Sequence, residues 1–147
     1  MIKTFRGLLP DGGQNRIRLS TKNGKIGYRI IKFQLFANAP GASSYESIVK
    51  LFKIKQAEGT VDGAVDFGDG NLLAVSYLEG NNEAHYPDQQ SVMFEQEVFN
   101  QDVYITHHEN NASYACNYYL ELESFNLTDN AAAVSTLRDI RLNPEPI

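Results

Sequence analysis

The chain has no tryptophan, one cysteine, two methionines and three histidines in 147 residues. One cysteine cannot close an intrachain disulfide, so no disulfide framework staples the fold, and nothing in the thiol content points to an oxidising compartment. No stretch approaches the roughly 20 consecutive apolar residues of a membrane-spanning helix. The opening Met1-Ile2-Lys3-Thr4-Phe5-Arg6 also lacks the apolar run of a secretory signal. The expectation is a soluble protein, neither exported nor membrane-bound. Each half also lacks charge of one sign. Residues 1–55 hold 11 basic side chains against two acids, Asp11 and Glu46, a net +9, whereas residues 56–147 hold two basic groups against 16 acids, a net −14. Either strands from the two halves interleave and neutralise one another, or the halves segregate and favour head-to-tail stacking of copies.

What is abundant is strand and turn chemistry: eight Phe, eight Tyr, 11 Gly and five Pro, with 42% hydrophobic residues overall. The length is that of one domain with a core large enough to stand without staples. Asp102 to Phe125 is the clearest stretch, and it reads as a hairpin of two strands, Asp102–His107 and Ala115–Glu123, around a polar loop. In its second strand Cys116, Tyr118, Leu120 and Leu122 recur at a spacing of two against Asn117, Tyr119, Glu121 and Glu123, which predicts one buried and one wet face. Phe125 and Leu127 then fall out of phase, as a bulge or strand end would produce. Further strands are predicted over Ile2–Leu8, Asn15–Ser20, Ile26–Ala37, Ser47–Lys55, Asn71–Glu79 and Ser91–Phe94, separated by turn clusters such as Pro10-Asp11-Gly12-Gly13. Ile26–Ala37 is apolar on both faces and reads as a central strand. Thr128-Asp129-Asn130 followed by Ala131-Ala132-Ala133, with Ala133, Leu137 and Ile140 on one face, predicts a short C-terminal helix over 128–142. The expected fold is therefore all-β: one jelly-roll-like β-sandwich over residues 1–147, with that helix on its rim or on a neighbour.

Few residues offer chemistry. Asp62, Asp66 and Asp69 could gather oxygen ligands for calcium, but their spacing is not that of an EF-hand loop, and turn-forming Asp-Gly pairs account for it. In His107-His108-Glu109 the two histidines point to opposite faces of a strand, so they do not share an ion unless the loop curls, and His85 would join only if its loop folded back. Cys116 falls on the core face, a poor place for a nucleophile. Gly12-Gly13 lies in a turn and not between a strand and a helix, so it is no phosphate loop. Arg16, Arg18, Lys22, Lys25 and Arg29 form a basic run with one aromatic, Tyr28, in an acidic chain, and nucleic acid is not the expected partner. The expectation is no catalytic residue, no metal and no cofactor. Tyr86, Tyr104, Tyr114 and Tyr119 are the candidate contact residues, near the loop end and outer face of the hairpin, suited to a subunit interface or a glycan.

Three stretches carry a resemblance: Arg6-Gly7-Leu8-Leu9-Pro10-Asp11-Gly12-Gly13-Gln14-Asn15-Arg16-Ile17-Arg18-Leu19, the two strands of Asp102–His107 and Ala115–Glu123, and Ala132-Ala133-Val134-Ser135-Thr136-Leu137-Arg138-Asp139-Ile140-Arg141. Together they resemble small virion structural proteins of marine tailed phages, cyanophages especially. That resemblance implies a non-enzymatic particle component in many copies, with itself and other virion proteins as partners and the virion as its location. The alternative from the residues is a carbohydrate-binding module using the tyrosines and the Asp-Gly loop.

Overall fold

The computed structural model describes residues 1–40, 44–80, 88–94, 97–111 and 113–128. Eight strands form: β1 (Ile2–Leu9), β2 (Gln14–Ile17), β3 (Ile26–Ala37), β4 (Tyr45–Phe52), β5 (Leu72–Gly80), β6 (Asp88–Met93), β7 (Val103–Glu109) and β8 (Cys116–Asn126). They make two antiparallel sheets, β1-β8-β3 and β2-β7-β4-β5-β6, packed as a sandwich. The helix expected over 128–142 falls, except for Thr128, outside the described residues, as do Tyr86 and His85.

The alternation read in β8 is the alternation observed. Cys116, Tyr118, Leu120 and Leu122 are buried while Asn117, Tyr119, Glu121 and Glu123 are only half-buried. Each buried leucine contributes about 1.5–3 kcal/mol over leaving it exposed. Facing them from the larger sheet are Val49, Leu51, Ala74, Leu78, Val103 and Ile105. The phase change at Phe125 and Leu127 marks the strand end and not a bulge, since β8 stops at Asn126. The β8 register with β3 runs unbroken from Leu122 to Asn126, and both side chains close over Gly27, where a Cβ would sit 2.9 Å from Leu127 and 3.1 Å from Phe125. Glycine there makes room for the cover.

Two expectations change. The stretch from Asp102 to Phe125 is not a hairpin: β7 and β8 lie in opposite sheets, so the polar loop is a corner between layers. β3 is not central either. It ends the three-stranded sheet, and its two apolar faces come from a register shift between Ile30 and Lys32, which returns Phe33 and Leu35 to the face already held by Tyr28 and Ile30. The outer edge of β3 is nonetheless occupied. Tyr28 exchanges both backbone bonds with Phe99 (2.8 and 3.0 Å), Ser91 Oγ donates to the Phe33 carbonyl (3.0 Å), and the Gln89 amide spans the Leu35 carbonyl and N–H at 3.2 and 3.1 Å. An edge so taken cannot recruit another strand.

The charge halves interleave. The ion pairs Arg16–Asp102 (2.5 Å), Arg29–Glu123 (2.6 Å), Lys50–Asp62 (3.3 Å) and Lys53–Glu97 (2.5 Å) each join a base from residues 1–55 to an acid from residues 56–147. The segregated alternative therefore does not describe the described residues.

Asp102, just before β7, is the most heavily bonded of these acids. Its Oδ1 accepts the backbone N–H groups of Leu19 (2.6 Å) and Ser20 (2.8 Å), and Oδ2 accepts Arg16 Nε (2.7 Å), so one carboxylate ends β2 and fixes the chain that leaves it. Burial pushes the Asp102 carboxyl up, but the Ser20 and Leu19 N–H groups and the Arg16 guanidinium together outweigh burial and hold it below the ordinary carboxylate range. A depressed folded pKa contributes stability that is present above the unfolded value of about 3.9 and is lost as pH falls through the folded value. Asp102→Ala should cost on the order of 1–3 kcal/mol at neutral pH, since it takes the acceptor from the buried Leu19 N–H. Urea unfolding at pH 7 and at pH 3 checks this, with the difference from the unsubstituted protein shrinking at the lower pH.

Candidate functional site

The candidate tyrosines are not brought together. Tyr119 stands on the outer face of the three-stranded sheet, its hydroxyl donating to Glu121 Oε1 (2.7 Å) and Lys32 Nζ lying 5.9 Å from its ring centre. Tyr104 stands on the outer face of the other sheet, in register between Arg16 and Phe52. Tyr114 lies in the corner between β7 and β8, packed against the core. Three described tyrosines thus face three directions, because β7 and β8 belong to different layers and Tyr114 lies in the corner that joins them.

The histidine pair divides as strand geometry requires. His108 points outward, its Nδ1 3.9 Å from Asp11 Oδ1, while His107 is fully buried between the sheets. His107 Nδ1 lies 3.0 Å from the Leu9 carbonyl and 3.1 Å from that of Pro10, so Nδ1 carries the proton and donates. Its Nε2 is buried without a partner among the described residues. The same residue closes the corner with its backbone, accepting from Gly12 N (2.8 Å) and donating to Gly13 O (3.0 Å), where Gly12 takes the positive φ of 76° that the turn requires. Burial lowers the His107 pKa, against the opposing pull of the Pro10 and Leu9 carbonyls and the Asp11 and Glu109 carboxylates.

Cys116 is fully buried on the facing sheet, beside the Ser47 hydroxyl. Burial pushes its thiol up to about 11, with the Ser47 bond opposing and the Glu109 carboxylate adding to the rise. Glu109 Oε1 accepts from Glu46 N (2.5 Å) and Asn111 N (3.2 Å), and Oε2 is buried without a partner among the described residues. The interior therefore holds a thiol, an imidazole and a carboxylate, but the thiol is protonated and sealed from solvent. Among the described residues no three His, Cys, Asp or Glu side chains converge closely enough to hold a metal ion.

A cavity of about 260 Å³ lies on the outer face of the five-stranded sheet, under the loop that follows β4. Lys50, Phe52, Leu72 and Thr106 form its floor, all outward positions of β4, β5 and β7, with Lys50 and Thr106 directly opposite one another. Gln56, Asp62, Asp66 and Asp69 stand among the loop residues that wall it. The three aspartates are turn formers, as the Asp-Gly spacing implies: Asp62 Oδ1 accepts Ala64 N (3.2 Å), Asp66 Oδ1 accepts Gly68 N (2.8 Å) and Asp69 Oδ1 accepts Asn71 N (2.9 Å). Lys50 is buried, its ammonium donating to the Ala64 carbonyl (2.6 Å) and to Asp62 Oδ1 (3.3 Å). Thr106 Oγ1 is buried and has no partner among the described residues. Sequence reasoning missed this floor. Its signal was Ile48-Val49-Lys50-Leu51-Phe52, a strand apolar on both faces with one lysine inside it.

No protein-family model, curated protein or solved structure matches this chain.

Two measurements check the interior. A thiol reagent should label Cys116 only at the rate of unfolding, and Cys116→Ala should cost about 1 kcal/mol, the scale of a small cavity. A buried neutral histidine stabilises the fold fully above its unfolded pKa, about 6.5, and progressively less as pH falls towards the lowered folded value. Stability should therefore fall as pH drops below about 6.5, with a slope that approaches about 1.4 kcal/mol per pH unit only well below that value while the folded imidazole stays neutral, and His107→Gln should flatten that slope in unfolding curves taken from pH 7.5 to 5.

Proposed function

We propose that the chain is a jelly-roll building block of a tailed-phage particle, a non-enzymatic structural protein that acts by packing against copies of itself and other virion proteins. The observation that carries this reading is the strand pairing. In a jelly roll the chain folds as one long hairpin wrapped into two sheets, so that strand numbers in each pair sum to nine. The ladders β1·β8, β2·β7 and β4·β5 follow that rule. The remaining pair, β3 and β6, meets through Ser91 and Gln89 against the β3 backbone, although β6 takes its ladder from β5. The likeness of the opening, β7, β8 and tail sequences to virion proteins of marine phages supports the same reading.

Surfaces for packing are available in this arrangement. Among the described residues no strand pairs with the outer side of β1. Leu8 and Phe36 are exposed at 48% and 67%, and the register sets them on either side of Asn117 in one row across the outer face. An open edge beside an apolar row suits strand addition or face packing by a neighbour. Mass spectrometry of density-purified particles tests the reading. The chain should be present at a copy number comparable to other structural proteins, and its presence in the infected lysate but absence from particles would refute a virion role.

A further inference from the structure

We propose that the outer edge of β1 is a twofold interface, at which a second copy of this chain adds its own β1 antiparallel and joins the two three-stranded sheets into one. The inference rests on the reading that copies pack against one another, and it names the surface and the register. The Met1 ammonium donates to the Ser124 carbonyl (3.0 Å), and the Met1 carbonyl accepts Ser124 N (2.7 Å). Such doubly bonded pairs alternate along an antiparallel ladder. Lys3, Phe5, Gly7 and Leu9 therefore turn their N–H and C=O groups towards β8, whereas Ile2, Thr4, Arg6 and Leu8 turn theirs away from it. Among the described residues nothing bonds those outward groups.

The sequence of β1 selects the register. Only the even-numbered residues offer groups to a neighbour, so the twofold axis passes through a residue and not between two. Placed at Phe5, the axis sets Ile2 opposite Leu8 and Thr4 opposite Arg6, each pair exchanging two bonds, and every outward group from Ile2 to Leu8 is used. Ile2 and Leu8 are apolar side chains left 52% and 48% exposed, and this register covers each with the other. Phe5, half-buried against the core, meets its own counterpart at a close non-bonded position, a favourable aromatic pair. Lys3 falls opposite Gly7, which has no side chain to crowd it. An axis at Thr4 would leave Leu8 outside the ladder, and one at Arg6 would set two guanidinium groups directly opposite, which is destabilising. An inward-pointing lysine ordinarily guards a sheet edge against such pairing. Lys3 turns back over its own sheet instead, its Nζ 5.6 Å from the Tyr28 ring centre.

Sedimentation equilibrium and amide hydrogen exchange on the full chain test this. A monomer–dimer equilibrium with a dissociation constant in the micromolar range is expected. The amides of Thr4, Arg6 and Leu8 should gain protection as the chain is concentrated, while those of Phe5 and Gly7 are protected throughout. Thr4→Pro removes one outward N–H and leaves the β1·β8 ladder its bonds, so it should abolish the dimer at concentrations where the unsubstituted chain is dimeric. Leu8→Lys, at an exposed position, should do the same by setting an ammonium against Ile2 of the second copy, and it carries the test if the proline disturbs β1 itself. Three results would overturn the proposal: a chain that stays monomeric at every concentration, a dimer that Leu8→Lys leaves intact, or a monomer whose Thr4, Arg6 and Leu8 amides are already protected, which would mean that another segment of the same chain takes the edge. The two readings fail separately. A monomeric chain found in particles overturns this pairing alone, and a dimeric chain absent from particles overturns the virion role alone.

Discussion

A strand that alternates apolar and polar residues over its whole length needs its apolar face covered and both its edges paired, and β8 obtains all three. Its core face is closed by the larger sheet, while β1 and β3 take its two edges. That arrangement places the first strand beside the last, with the Met1 carbonyl accepting Ser124 N at 2.7 Å. Pro10 to Gly13 separate β1 from β2, and β2 enters the opposite layer, where it pairs with β7. The crossing is held by His107, which binds it through backbone and ring together. Covering one face of β8 and pairing both its edges thus accounts for the three-stranded sheet.

The polar groups enclosed by this packing are unevenly satisfied. Asp102 meets two backbone donors and a guanidinium, and a carboxylate so provided for can be buried at little net cost. His107 Nε2 and Glu109 Oε2, by contrast, are enclosed without partners among the described residues. Both belong to β7, the strand whose core face mixes Val103 and Ile105 with an imidazole and a carboxylate. Apolar side chains would cover the same area more stably, so β7 gives up stability at its corner end in return for anchoring the β1–β2 turn and the loop that leads to β8.

Periodicity made much of this legible. Burial at Cys116, Tyr118, Leu120 and Leu122, the opposed directions of His107 and His108, and the turns at Asp62, Asp66 and Asp69 follow from a period of two and from side chains bonding the backbone two residues on. Periodicity is silent on which strands are neighbours. Two strands joined by six residues, β7 and β8, look like a hairpin whether they pair or face each other across a core. A register shift inside β3 imitates a strand buried on both faces. The cavity was hidden for a related reason. Lys50 and Thr106 are 56 residues apart and meet only because β4 and β7 are ladder partners, and nothing in either segment announces the other.

The division of charge along the chain acquires its meaning from that pairing. A basic N-terminal portion and an acidic remainder would make a polar molecule if each formed its own layer. Instead β8, carrying Glu121 and Glu123, runs between β1 and β3, which carry Lys3, Arg6, Arg29 and Lys32. Opposite charges on adjacent strands favour the observed neighbours over pairing within either portion, where like charges would meet. The exposed pairs add little to stability, on the order of 0–1 kcal/mol each. Their larger effect is on which strands lie side by side. The same consumption of charge inside the sandwich leaves the row of Leu8 and Phe36 as an uncharged part of the outer face. A contact between copies at that row would draw on area and shape, with little contribution from the imbalance that the sequence displays.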